Sequence, residues 1–169
     1  MSTWKIDPTH SEIQFKVKHL VISTVTGHFR SFDAKAETDG DGFENARITF
    51  EADINSIDTN QEDRDNHLKS PDFFDAENHP KMIFESTSFD GETLEGNLTI
   101  KGETHPVKLD VDFGGEATDP YGNHKAGFEI SGKINRKQFG LTWSAVTEAG
   151  GVVVGDEVKL SANIQMVKQ

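Results

Sequence analysis

Apolar residues alternate with polar ones through most of this chain, the period-2 pattern of half-buried antiparallel strands. Ile13, Phe15, Val17 and His19 share one face against Gln14, Lys16 and Lys18. The pattern recurs with Ala46, Ile48, Phe50, Ala52 and Ile54, and then with Leu94, Leu98 and Ile100. It returns at Val107, Leu109, Val111 and Phe113, at Phe128, Ile130 and Ile134, and finally at Val158, Leu160, Ala162, Ile164 and Met166. Trp4 and Ile6 begin a further strand. Turn-forming clusters separate these runs at Thr38 to Gly42, Asp90 to Glu92, Gly102 to Glu103, Gly114 to Asn123 and Gly150 to Gly151.

One segment, about 60–78, breaks the alternation. Thr59 followed by Glu62 predicts a capping box and a helix running to about Lys69. Ser70-Pro71, with Asp72 next, predicts a second short helix, because serine is a good N-cap and proline is tolerated at the first helical position. Together the two helices would present Leu68, Phe73 and Phe74. So little helix cannot cover the outer face of a sheet. The apolar faces must therefore turn inward, as an up-and-down barrel or a sandwich, and closure at about eight strands leaves room for packed side chains or a slim ligand.

The 169 residues fit one domain spanning 1–169, with no linker and no internal repeat. Aromatic content is concentrated in 12 phenylalanines against 2 tryptophans and 1 tyrosine, rings that suit dry surfaces. A net charge of −12 argues against nucleic acid as a partner. The chain has no cysteine, which excludes disulfides and thiolate chemistry. Met1 and Ser2 lead directly into the first strand without a basic, then apolar, leader pattern, so the expected location is cytoplasmic.

Catalytic motifs are missing: there is no G-x-S-x-G elbow, phosphate-binding loop or dinucleotide turn, and the seven histidines fall at no metal-ligand spacing. No catalytic residue and no metal ligand is assigned. Three polar positions carry two readings each. His19, on an apolar face, is either a core histidine bonded to its neighbours or a ligand contact. Arg64 and His67, around Asp65, form either a solvated helix face or a head-group site at a cavity mouth. Arg136, before Phe139-Gly140-Leu141, has the same alternatives. The phenylalanines are core by default.

Motifs spread along nearly the whole chain resemble the YceI-like polyisoprenoid-binding proteins. They include Trp4-x-Ile6-Asp7-Pro8-x-His10-Ser11, Phe15-x-Val17-x-His19-Leu20 and Val25-x-Gly27-x-Phe29. They continue through Arg64-Asp65-x-His67-Leu68-x-Ser70-x-Asp72-Phe73-Phe74-Asp75, Pro80-x-x-x-Phe84, Gly96-x-Leu98-Thr99-Ile100-x-Gly102 and Arg136-x-x-Phe139-Gly140-Leu141. The resemblance implies an all-β, lipocalin-like antiparallel barrel of about eight strands with a short helical insertion. It also implies an elongated apolar cavity holding a polyprenyl lipid, an isoprenoid quinone or a similar long lipid, with no catalytic cofactor. A homodimer and transient membrane contact for lipid loading are further expectations.

On this basis the ligand-binding residues are expected to be His10, Phe15, Val17, His19, Phe29, Phe50, Arg64, His67, Leu68, Phe73, Phe74, Phe84, Phe128 and Arg136. Arg64, His67, His10, His19 or Arg136 would fix the direction of the head group. The competing functions are an enzyme acting on a prenyl or acyl lipid, with His19 in acid–base chemistry, and a structural barrel without a ligand.

Overall fold

A computed structural model describes the chain except for Val21, Asp41 and residues 144–153. Among the described residues eleven strands form one antiparallel sheet that closes into an eight-stranded barrel. The difference in number has a simple origin: three of the barrel's strands are broken in the middle. β1 (Ser2–Ile6) and β2 (Glu12–His19) are parted by a 3-10 turn at Pro8–His10. β3 (Ser23–Phe29) and β4 (Phe32–Thr38) are parted at Arg30 and Ser31. β5 (Arg47–Asp53) and β6 (Ile57–Asp58) are parted by a 3-10 turn at Ile54–Ser56.

The remaining strands are β7 (Lys81–Phe89), β8 (Thr93–Ile100), β9 (Glu103–Thr118), β10 (His124–Asn135) and β11 (Val154–Lys168). β11 closes the barrel, pairing through Met166 to Lys168 with β1 and through Val154 to Asn163 with β2. The pairings β1–β4–β5–β7–β8–β9–β10–β11–β1 thus make a complete ring, which leaves no open edge at that end.

The other end is splayed. Among the described residues β6 has no strand on its far side, and the β9–β10 ladder stops at Asp110 opposite Ser131. Residues 59–80 lie between β6 and β7 and contain α1 (Glu62–Lys69). The capping differs from the expected box: Gln61 is the N-cap, its side chain accepting from the Arg64 N–H. Thr59 is buried instead, and its N–H and hydroxyl both donate to the Asp65 carboxylate.

The expected second helix does not form. Ser70, held extended before Pro71, closes α1 by donating its N–H and hydroxyl to the His67 carbonyl at 3.1 and 2.6 Å. The chain then folds back on the helix, with the Phe74 N–H donating to Leu68 O and the Ala76 N–H to Lys69 O, each at 2.9 Å. Phe73 and Phe74 therefore ride on a turn tied to the end of α1.

Another boundary shifts for a similar reason. Gly114 to Thr118 belongs to β9, where a bulge absorbs the glycines, and the turn is confined to Asp119–Asn123. The Asp119 carboxylate accepts from the Tyr121 and Asn123 N–H groups, each at 2.9 Å. The expected turn at Gly150-Gly151 lies outside the described residues.

Candidate ligand cavity

Inside the barrel lies a cavity of about 400 Å³, lined almost wholly by apolar side chains of the inward strand faces. Its closed end is stoppered by Phe43, from the connection between β4 and β5. That ring packs against Trp4 at 4.8 Å and meets Phe128 edge-on at 4.9 Å. The partly open end is the splayed one. It is lined by Lys18, His19 and Val25 from β2 and β3 and by Arg64, His67 and Leu68 of α1, together with Trp143 and Val154.

Thirteen of the fourteen expected ligand-binding residues line this one cavity: Phe15, Val17, His19, Phe29, Phe50, Arg64, His67, Leu68, Phe73, Phe74, Phe84, Phe128 and Arg136. His10 does not. It sits on the exposed turn that breaks β1 from β2, with its Nδ1 2.7 Å from Asp7 Oδ2, on the outer side of the barrel. The proline-containing interruption pushes those residues out of the strand, so the alternation that would have assigned His10 a face does not extend to it.

The ionisable lining groups are all basic. His19, Arg64, His67 and Arg136 line the space, Lys18 borders it with its ammonium turned outward to donate to Thr24 Oγ1 at 3.1 Å, and no aspartate or glutamate lines it among the described residues. In a chain of 29 acidic residues this is a marked segregation. The basic groups are held in different ways. Arg64 is anchored from one side, its Nε donating to Thr59 Oγ1 at 2.8 Å and a terminal nitrogen to Thr59 O at 2.6 Å. His67 stands edge-on to Trp143 and Phe73 at 4.9 and 5.1 Å, with its Nε2 3.0 Å from Asp72.

Arg136 behaves differently from the other four. Only 3% of it is exposed, and it donates to the carbonyls of Leu141, Trp143, Gly155 and Val154 at 2.6, 2.8, 2.8 and 3.3 Å. Burial pulls its pKa down, opposed by Asp156 at 3.8 Å. Most of its donors are thus engaged with the backbone on both sides of residues 144–153, which makes it a fastener of the rim.

Several lining residues escaped the sequence reading, notably Phe43, Trp143 and Met82. Trp143 lies just beyond the Phe139-Gly140-Leu141 motif, and Phe43 is a lone aromatic in a polar connection. A large apolar residue stranded in a loop was the available signal for both.

Among the described residues no group of three or more His, Asp or Glu side chains could hold a metal ion. Nor is any helix among them long and apolar enough to cross a membrane.

A closed antiparallel barrel around an internal apolar cavity defines the class of β-barrels that enclose small ligands. Residues 4–166 match the family model of the YceI-like domain, and the chain belongs to that family. The UPF0312 protein SERP2314 of Staphylococcus epidermidis is 42% identical over 166 residues, covering 98% of this chain and 97% of that protein.

The crystal structure of BcnA from Burkholderia cenocepacia superposes with a TM-score of 0.80 at 21% identity, over 95% of this chain and 98% of that one. A polyisoprenoid binding domain from Saccharophagus degradans, implicated in plant cell wall breakdown, gives 0.71 at 13% identity, over 98% of each chain. At these identities the two structures share the fold.

Proposed function

We propose that this protein binds a long apolar lipid, a polyisoprenoid, an isoprenoid quinone or a similar chain, as a cytoplasmic carrier, store or protective binder. The observation that carries the reading is the cavity itself, about 400 Å³ and nearly all apolar. That volume lies within the range of ~300–1,000 Å³ typical of small-molecule sites. Each buried methylene contributes about 0.8 kcal/mol, so an isoprenoid unit adds on the order of 3 kcal/mol before ordering costs. A few units give tight binding without any special polar motif. The polyisoprenoid-binding description of the Saccharophagus degradans domain, which shares the fold, points the same way.

Binding rather than catalysis is favoured because no carboxylate lines the cavity among the described residues, and Asp72, 3.0 Å from His67 Nε2, is not one of the lining groups. The head group meets the basic rim of Lys18, His19, Arg64 and His67. In this reading the carrier is a homodimer. Organic extraction and mass spectrometry of natively purified protein test the proposal. A co-purifying prenyl lipid or quinone is expected; repeated preparations without lipid, together with no displacement of an apolar fluorescent probe by such lipids, would refute it.

A further inference from the structure

Acidic residues are common in this chain, yet none occurs from Ile13 to Phe32, a stretch that holds Lys16, Lys18 and Arg30. These residues form the β2–β3 hairpin. On the adjoining outer face Lys16 is the registered partner of Lys159 on β11, which is in turn the partner of Lys133 on β10. Three lysines thus stand in one row across neighbouring strands about 4.8 Å apart, where directly opposed like charges are unfavourable.

Lys133 is relieved by Glu157 at 3.5 Å, and Arg30 by Asp58 at 3.1 Å. Lys16, Lys18 and Lys159 have no carboxylate within 4.0 Å among the described residues. A protein with net charge −12 has had ample means to neutralise such a row.

The tip of the same hairpin is apolar. Ile22 is 84% exposed and Leu20 39%, the latter in the left-handed region at φ 54°, and the Ile22 N–H closes the turn on His19 O at 3.3 Å. Lys18, His19 and Val25, on either side of this tip, line the cavity. An apolar projection backed by uncompensated lysines is the combination that holds proteins on anionic bilayers, the side chains entering the interface while the cations meet the lipid phosphates.

We propose that the β2–β3 hairpin and its lysine row dock this protein on an anionic membrane surface, with Leu20 and Ile22 in the head-group layer and the cavity mouth turned toward the bilayer. The proposal rests on the reading of the cavity as a lipid site and supplies the route by which that lipid enters and leaves. The overall negative charge sharpens it: the rest of the surface is repelled by an anionic membrane, so contact through the acid-free hairpin is selected.

The test is flotation of the full chain with phosphatidylcholine vesicles, with and without phosphatidylglycerol, at low and high salt. Wild type should float with phosphatidylglycerol vesicles at low salt and be released at high salt. A Lys16→Gln/Lys159→Gln variant should bind them about thirtyfold more weakly, and Ile22→Ser should also lose binding. Neither change should alter the melting temperature or uptake of an apolar fluorescent probe in solution.

Wild type that stays off these vesicles, or variants that bind them undiminished, would overturn the proposal. So would an Ile22→Ser protein that passes from dimer to monomer without vesicles, since a second copy would then own the tip. Failure of the lipid reading shows separately, as wild type that takes up no probe and yields no lipid on extraction.

Discussion

Phe15 and Gly27 are registered partners on β2 and β3, and the Phe15 ring lies across Gly27 so closely that an added Cβ would overlap the ring atoms. The glycine is the floor on which a cavity-lining ring rests. Gly27→Ala must push that ring into the cavity or lift the strands apart, and overpacking of this kind costs about 1–3 kcal/mol. The expected result is a lower melting temperature together with weaker uptake of an apolar probe. A variant with both properties unchanged would mean that Phe15 has another rotamer of equal comfort.

Arg136 ties the carbonyls of Leu141 and Trp143 to those of Val154 and Gly155. Methionine keeps much of the volume and none of the donors. Buried carbonyls left without partners cost about 1–3 kcal/mol each, so Arg136→Met should lower stability in urea by on the order of 3 kcal/mol after partial rescue by water. If Arg136 instead served chiefly to meet a ligand, the urea midpoint would hold while ligand retention fell.

The alternating strands were legible because each residue on β2, β5, β8 or β11 has a fixed face once one neighbour is assigned. The segment 59–80 was legible as an interruption but not in its details. Thr59 prefers Asp65 to the helix end, and Ser70 closes α1 instead of opening a second helix. Both outcomes turn on competition between hydrogen bonds that tertiary packing decides.

Most cavity residues inside strands or on α1 were found from period and motif, whereas Ala34 and Ala36 on β4 and Met82 on β7 were not. His10 fell outside because the strand breaks at Pro8, and Phe43 was missed because a loop has no period to read.

Trp143 provides a reporter for the cavity. It lines the space and packs at 5.3 Å against Phe73 and 4.9 Å against His67, whereas Trp4 is buried in a separate cluster with Ile6, Ala34 and Met166. Loading with an apolar lipid should change tryptophan emission. The change should survive Trp4→Phe and vanish in Trp143→Phe, read by fluorescence titration. The reverse pattern would place the ligand at the closed end, beyond Phe43.

Asp7 supplies an acid-range prediction away from the cavity. The Lys125 ammonium, hydrogen-bonded at 2.8 Å, holds its carboxyl well below the usual carboxylate range; Thr9 and His10 act in the same direction, and burial opposes them. The Lys125 pKa is raised, first by its hydrogen bond to Asp7. A carboxylate with a depressed folded-state pKa contributes stability that is fully present above its unfolded value of about 3.9. That contribution is lost as pH falls from there toward the folded value. The raised Lys125 gives the opposite limit, its contribution being present below an unfolded value of about 10.4 and lost as pH rises through the folded one.

The pair therefore stabilises the junction of β1, β10 and β11 across the neutral range. Melting temperatures of wild type and Asp7→Asn should differ most near neutral pH and converge as the medium is acidified below about pH 4. A gap that stayed constant into strong acid would show that the amide substitution removes packing or a turn cap rather than the ion pair.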